Sequence, residues 1–355
     1  MKHLFIIAAI CGTHPAFSQA TDSATIYFNK GNEDMKAGRF LPASKAFENA
    51  VKHNPSFTEA YLQNGFAALQ MRKVNLALNN FEKVYALEPN NPQAIKELTE
   101  IYYNYRKLDK AIEFANKCTQ CSNASFIKGM SYYRKEDYGE AVKHLQHALK
   151  LDPANAEALY TIGRSYLDMD EYSKAIPFYE KAAELENANS TWIYELALLS
   201  YNVGNYKNSV KYFAKAAEKG YTQSNDFDEN YGFASFYAGN YDKGEELIKE
   251  VWRKKPGNKE ILRDAAEALY KKGQYDRSLM YCQKLMELDN NDAKALYQAG
   301  LNFIKKGPKE KGEKMSQADS LIFQIETQLK EKKKKIPAEK KTAIETAAEK
   351  LKEAH

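Results

Sequence analysis

Residues 156–189 read AEALYTIGRSYLDMDEYSKAIPFYEKAAELENAN, and this stretch decides the fold. It predicts two short amphipathic helices joined by a tight turn. In the first, Leu159, Ile162, Gly163 and Tyr166 recur at helical spacing on one face. Asp170, Glu171 and Tyr172 make the turn. In the second, Ala175, Phe178, Tyr179 and Ala182 form the matching face. Gly163, Ala175 and Ala182 are small where two backbones must approach, and Tyr166, Tyr172 and Tyr179 fill the space between. A hairpin of this kind buries one side of itself only, so it needs a neighbour.

The neighbours lie on both sides of it. Tyr172 has counterparts at Phe40, Val74, Leu108, Tyr138, Tyr206, Tyr241 and Tyr275. In chain order the separations are 34, 34, 30, 34, 34, 35 and 34. First helices carry Gly31, Gly65, Gly129, Gly163 and Gly232 in register. Second helices carry Ala43, Ala77, Ala111, Ala141 and Ala175, then Ala50, Ala148, Ala182 and Ala216. Pro55, Pro89, Pro153 and Pro256 close units, whereas Thr99, Ala197 and Ala266 replace the glycine and Asn187 and Asn290 the proline. On these residues the chain resembles the tetratricopeptide-repeat family over roughly three quarters of its length. The resemblance implies an all-α, right-handed superhelical solenoid of about eight helix–turn–helix units with every first helix on the concave wall. The expected units are 24–57, 58–91, 92–121, 122–155, 156–189, 190–221, 225–258 and 259–292, followed by one first helix at 293–306. Residues 222–228 form a polar loop, the expected hinge.

Both ends read differently from the array. Residues 1–20 resemble a secretory signal peptide: Lys2 and His3, an apolar run from Leu4 to Ile10, then Ser18, Gln19 and Ala20 before a cleavage point. The run is too short to span a bilayer, and Ile10 before Cys11 speaks against lipid anchoring. The expectation is an exported, periplasmic or secreted protein whose array occupies 21–306. Residues 307–355 are expected to form a basic helical tail that caps the array. A short coiled coil is one alternative there. Contact of Lys332, Lys333, Lys334 and Lys335 with an anionic envelope surface is the other.

Charge is concentrated in that tail. Residues 305–355 hold 14 Lys against 9 acidic residues, which matches the whole-chain net charge of +5. The array is therefore near neutral, which argues against an extended nucleic-acid groove. No Gly-rich phosphate loop, GxSxG or HExxH is present, so no enzyme and no cofactor is expected. His144 and His147 lack a third partner and are read as solvent-exposed rather than as a metal site. Cys118 and Cys121 replace the usual inter-unit loop in a unit four residues short. They read as one buried and one loop cysteine, or as a local disulfide in an oxidising compartment. Cys282 reads as an inert apolar residue.

Function is sought on a second stripe of the first helices, one residue beyond the packing stripe and rotated by about 100°. It carries Phe66, Tyr103, Tyr133, Tyr160, Arg164, Tyr194, Tyr201, Phe236, Arg263 and Tyr270. Phe126, Phe233 and Tyr297 share it. Packing within the unit does not require aromatics there. The rings either line a concave surface that binds a peptide or partner protein, or wedge against the adjacent first helix. Some tetratricopeptide-repeat proteins grip a C-terminal dicarboxylate with Lys and Asn of their first units. Only Asn32 matches that pattern, so the specificity is not expected here. The competing reading is an envelope adaptor that acts through the tail.

Overall fold

A computed structural model describes residues 16–306 of the 355-residue chain. The expected tail, its basic run and residues 1–15 of the expected signal peptide lie outside the described residues. Seventeen helices and no strand occur among the described residues. They pair as α1 (Ala16–Lys36) with α2 (Phe40–His53), α3 (Thr58–Gln70) with α4 (Val74–Leu87), and α5 (Pro92–Asn104) with α6 (Leu108–Lys117). Next come α7 (Ala124–Arg134) with α8 (Tyr138–Leu151), and α9 (Ala156–Asp168) with α10 (Tyr172–Glu184). Then follow α11 (Ser190–Asn202) with α12 (Tyr206–Glu218), α13 (Asn225–Ala238) with α14 (Tyr241–Lys254), and α15 (Lys259–Lys271) with α16 (Tyr275–Leu288). The first helix α17 (Ala293–Lys306) comes last. This is the all-α helical-repeat class that the periodicity implies. The chain divides into two compact blocks, N-terminal to Phe178 and C-terminal from Tyr179, so the boundary falls inside α10.

Every residue read as a turn filler is the first residue of a second helix. The turn itself is made by the residue two places earlier, which takes a left-handed conformation in all eight hairpins. These are Gly38, Arg72, Arg106, Glu136, Asp170, Gly204, Gly239 and Gly273. The next N–H then reaches back five residues, as in Lys107 N to Tyr102 O at 2.9 Å and Asn240 N to Ser235 O at 2.8 Å. This bond satisfies a carbonyl that the helix end leaves open.

Within hairpins the small residues act as expected. A Cβ on Gly65 would stand 2.5 Å from the Phe81 ring, so the glycine is what lets α3 and α4 close on that ring. In the N-terminal block Phe81, Leu98, Tyr102 and Ile127 are buried in one apolar cluster. In the C-terminal block Phe236, Ile248, Leu262, Leu269 and Leu285 form another. Burial of such side chains contributes about 1.5–3 kcal/mol each.

The structure departs from the sequence expectations at several points. Tyr172 is 41% exposed, because the first residue of a second helix projects over the turn rather than between the helices. The expected loop at 222–228 is shorter, because residues 225–228 are the first turn of α13. Ser224 caps α13 by accepting the Phe227 N–H at 3.2 Å, and Phe227 and Asp228 are buried. Cys118 and Cys121 are disulfide-bonded with Cα atoms 5.5 Å apart, and Cys118 ends α6 rather than lying within it. His144 is half-buried, stacked on Tyr132 at 5.4 Å, whereas His147 is exposed. Cys282 is buried as expected, which pushes its thiol up to about 12. No described helix is long and apolar enough to cross a membrane.

Candidate functional site

In the N-terminal block the second stripe is half-buried, and its polar ends are tied to the next hairpin. Phe66 meets Phe81 edge-on at 5.4 Å and belongs with the core beneath it. Tyr103 on α5 packs against apolar clusters on both sides, and burial raises its hydroxyl above the usual range. The Arg134 guanidinium lies 4.7 Å from its ring centre and donates to its hydroxyl at 3.4 Å. Tyr133 on α7 donates to Asp168 Oδ2 at 3.4 Å, and Asp168 Oδ1 accepts from Arg164 Nη2 at 3.2 Å. The wedge between adjacent first helices is therefore real for Tyr103 and Tyr133. The outer edges of both rings stay open, as does part of Tyr160.

In the C-terminal block the same stripe is held by other rings. Tyr194 stacks on Tyr221 at 4.3 Å and meets Phe227 at 5.7 Å. Tyr201 meets Tyr206 at 5.5 Å and Tyr237 at 6.0 Å, and Tyr206 stacks on Tyr237 at 4.9 Å. Burial pushes the Tyr201 hydroxyl up to about 12. The Lys272 ammonium sits 5.5 Å from the ring centres of both Tyr206 and Tyr237. Tyr270 keeps one face open and meets Tyr275 at 5.7 Å.

One residue of the expected face falls away from it, and another stays on it with its charge engaged within the chain. Phe236 is 0% exposed and belongs to the core. It occupies the register of Tyr103, Tyr133, Tyr201 and Tyr270, but α14 carries Gly244 where five other second helices carry alanine. A Cβ on Gly244 would stand 2.4 Å from the Phe236 ring, so the missing side chain makes the hollow that the ring fills. Arg263 is half-buried and committed within the chain. Its Nη2 donates to the buried Asp292 carboxylate at 2.6 Å, and its Nη1 pairs with Glu260. Asp292 also accepts the Ala295 N–H at 3.1 Å, so the pair anchors the start of α17.

The stripe also holds carboxylates that aromatic content alone does not reveal. Glu229 stands three residues before Gly232, as Tyr160 stands before Gly163. Glu267 stands one residue after Ala266, as Arg164 follows Gly163, and Asp264 lies beside it on α15. The register was legible for Glu229 and Glu267. Tyr237 was missed because it lies one residue past the stripe. No group of three or more His, Cys, Asp or Glu residues suited to a metal ion occurs among the described residues.

Family models match segments of the array. A TPR-repeat model covers residues 129–170, and tetratricopeptide-repeat models cover 156–189 and 235–300. A model of subunit 3 of the anaphase-promoting complex, cyclosome, matches 70–148. The DnaJ protein P58IPK homolog of Arabidopsis thaliana is 24% identical over 158 residues, 40% of this chain and 33% of that protein. DnaJ homolog subfamily C member 7 of Mus musculus is 26% identical over 164 residues, 41% of this chain and 33% of that protein. The chain thus spans about a third of the length of the curated relatives it matches. Among solved structures, MamA from Desulfovibrio magneticus RS-1 is 21% identical with a TM-score of 0.41, covering 46% of this chain and 96% of that one. The P58(IPK) TPR domain is 16% identical with a TM-score of 0.30, covering 94% and 99%.

Proposed function

Because this chain is a tetratricopeptide-repeat protein, we propose that it is a non-catalytic protein-interaction scaffold that holds a peptide or partner protein against its first-helix faces. One observation carries the reading. The aliphatic part of the packing stripe is buried, as at Leu159 and Ile162, with Tyr166 half-buried at its end, whereas Tyr103, Tyr133, Tyr160, Tyr194, Tyr201 and Tyr270 all stay half-exposed on the next stripe. A tyrosine held at its base by neighbours and open at its edge offers apolar area and a hydroxyl at little entropic cost. Interface hot spots are rich in such residues.

The test is site-specific photocrosslinking in cells. A photoreactive phenylalanine is placed at Tyr133, Tyr160, Tyr201 or Tyr270, with Gln146 and Gln283 on the exposed sides of second helices as controls. The proposal expects a shared partner band from the first-helix positions and none from the controls. Equal crosslinking from both sets would contradict it. Export is proposed on composition: a mature chain beginning at Thr21 in the periplasmic fraction supports it, and an intact Met1 on the abundant species there opposes it.

A further inference from the structure

The C-terminal block presents an aromatic cluster with a cation already on it. Tyr201, Tyr206 and Tyr237 come from α11, α12 and α13, and the Lys272 ammonium lies 5.5 Å from two of their ring centres. Lys272 makes no ion pair among the described residues, so ring faces are what hold it. On α13 and α15, Glu229 and Asp264 carry carboxylates with no ion pair or side-chain hydrogen bond among the described residues. Burial comes first in raising both carboxyls above the usual range. The Asp226 and Asp264 charges add to this at Glu229 and Lys255 partly offsets it; the Glu260 and Glu267 charges add to it at Asp264 and Arg263 partly offsets it. The Asp264 charge also adds to the upward shift of the Tyr201 and Tyr237 hydroxyls. A cleft of about 340 Å³ opens beside Asp264 between α15 and α17. Ala266, Leu285 and Ala295 line its apolar part, and Tyr297 stands 37% exposed at its wall.

We propose that this face takes an extended peptide segment bearing lysine or arginine. Its cationic side chains rest on the tyrosine rings and against Asp264 and Glu229, and an apolar side chain enters the α15–α17 cleft. This rests on the first-helix reading above and adds the partner's chemistry. Partly desolvated carboxylates that no ion pair neutralises favour an incoming cation, and the rings add cation–π attraction. The incoming cation displaces the Lys272 ammonium into solvent.

Fluorescence anisotropy of the full chain tests it with two labelled peptides of about twelve residues, one alternating Lys or Arg with Ala and Leu, the other with Glu in place of each base. The basic peptide is expected to bind, more weakly as salt rises, and the acidic one not to bind. Paired Glu229→Gln and Asp264→Asn changes should weaken binding by about tenfold, and Lys272→Ala should tighten it. Circular dichroism confirms that each variant is folded, and single Asp264→Asn serves if the pair is not. Equal binding of both peptides, no binding of the basic one, or carboxamide variants with unchanged affinity would overturn the proposal. A crosslinked partner displaced by the acidic peptide would also overturn it while leaving the binding-face reading intact. Crosslinks absent from the first-helix face would instead overturn that reading.

Discussion

The hairpin turns of the two blocks meet one geometric demand with different residues. The C-terminal block places glycine at the left-handed position of all three of its hairpin turns, Gly204, Gly239 and Gly273. The N-terminal block uses glycine only at Gly38 and fills the other four with Arg72, Arg106, Glu136 and Asp170. A side chain in that conformation costs roughly 1–2 kcal/mol. The turn geometry is thus fixed by packing and by the reach-back hydrogen bond, and glycine only lowers its cost. The first-helix faces differ in a parallel way. The N-terminal block ties its tyrosines to arginine and aspartate, whereas the C-terminal block stacks them on other rings.

The largest expected effect lies where the shared register splits. Phe236→Ala should destabilise the C-terminal block by about 3–5 kcal/mol, as for a fully buried ring. Tyr133→Ala, at the same register in the N-terminal block, should cost clearly less, since its ring is half-buried. Denaturant unfolding of both variants compares them, and equal losses would break the contrast.

Turn substitutions should have opposite signs in the two blocks. Gly239→Ala is expected to cost about 1–2 kcal/mol. Arg106→Gly and Glu136→Gly should instead stabilise by about 0.5–1 kcal/mol, because relieved strain outweighs the added chain entropy. Thermal melts decide, and a destabilising Glu136→Gly would mean that its side chain has a role of its own.

Alkaline titration should reach both blocks, since burial also raises Tyr102 in the N-terminal one. Tyr201 and Tyr212 hold their protons up to about 12, against about 10 in the unfolded chain. The unfolded state therefore binds fewer protons between these values, and the stabilisation present below pH 10 is lost as pH rises to 12. Tyr201→Phe should flatten that loss in a melt-versus-pH series. The smallest effect is expected from Tyr172→Ala, below about 1 kcal/mol for an exposed ring.

The repeat was legible because hairpin stacking imposes one period on the whole chain. Phe40, Val74, Leu108, Tyr138, Tyr172, Tyr206, Tyr241 and Tyr275 each begin a second helix. Their burial was less legible, because period locates a residue on a helix but not the depth of its ring. Phe236 shows this: its stripe position matched the exposed tyrosines, and the deciding residue, Gly244, lies eight positions away on the next helix. The Arg263 ion pair was not legible either, since its partner Asp292 stands at the start of the next helix, α17. Composition drew attention to the rings and away from Glu229 and Asp264, whose partial burial emerges only from the packed helices.

The central claim is that the half-exposed tyrosines bind and the buried ones only hold the fold. Binding of the crosslinked partner to Tyr201→Ala, measured at a temperature where circular dichroism shows the variant folded, tests it most directly. The account expects affinity to fall by about 1–2 kcal/mol, as for an interface hot spot, while Tyr172→Ala binds like the unaltered chain. Unchanged affinity in folded Tyr201→Ala would contradict it.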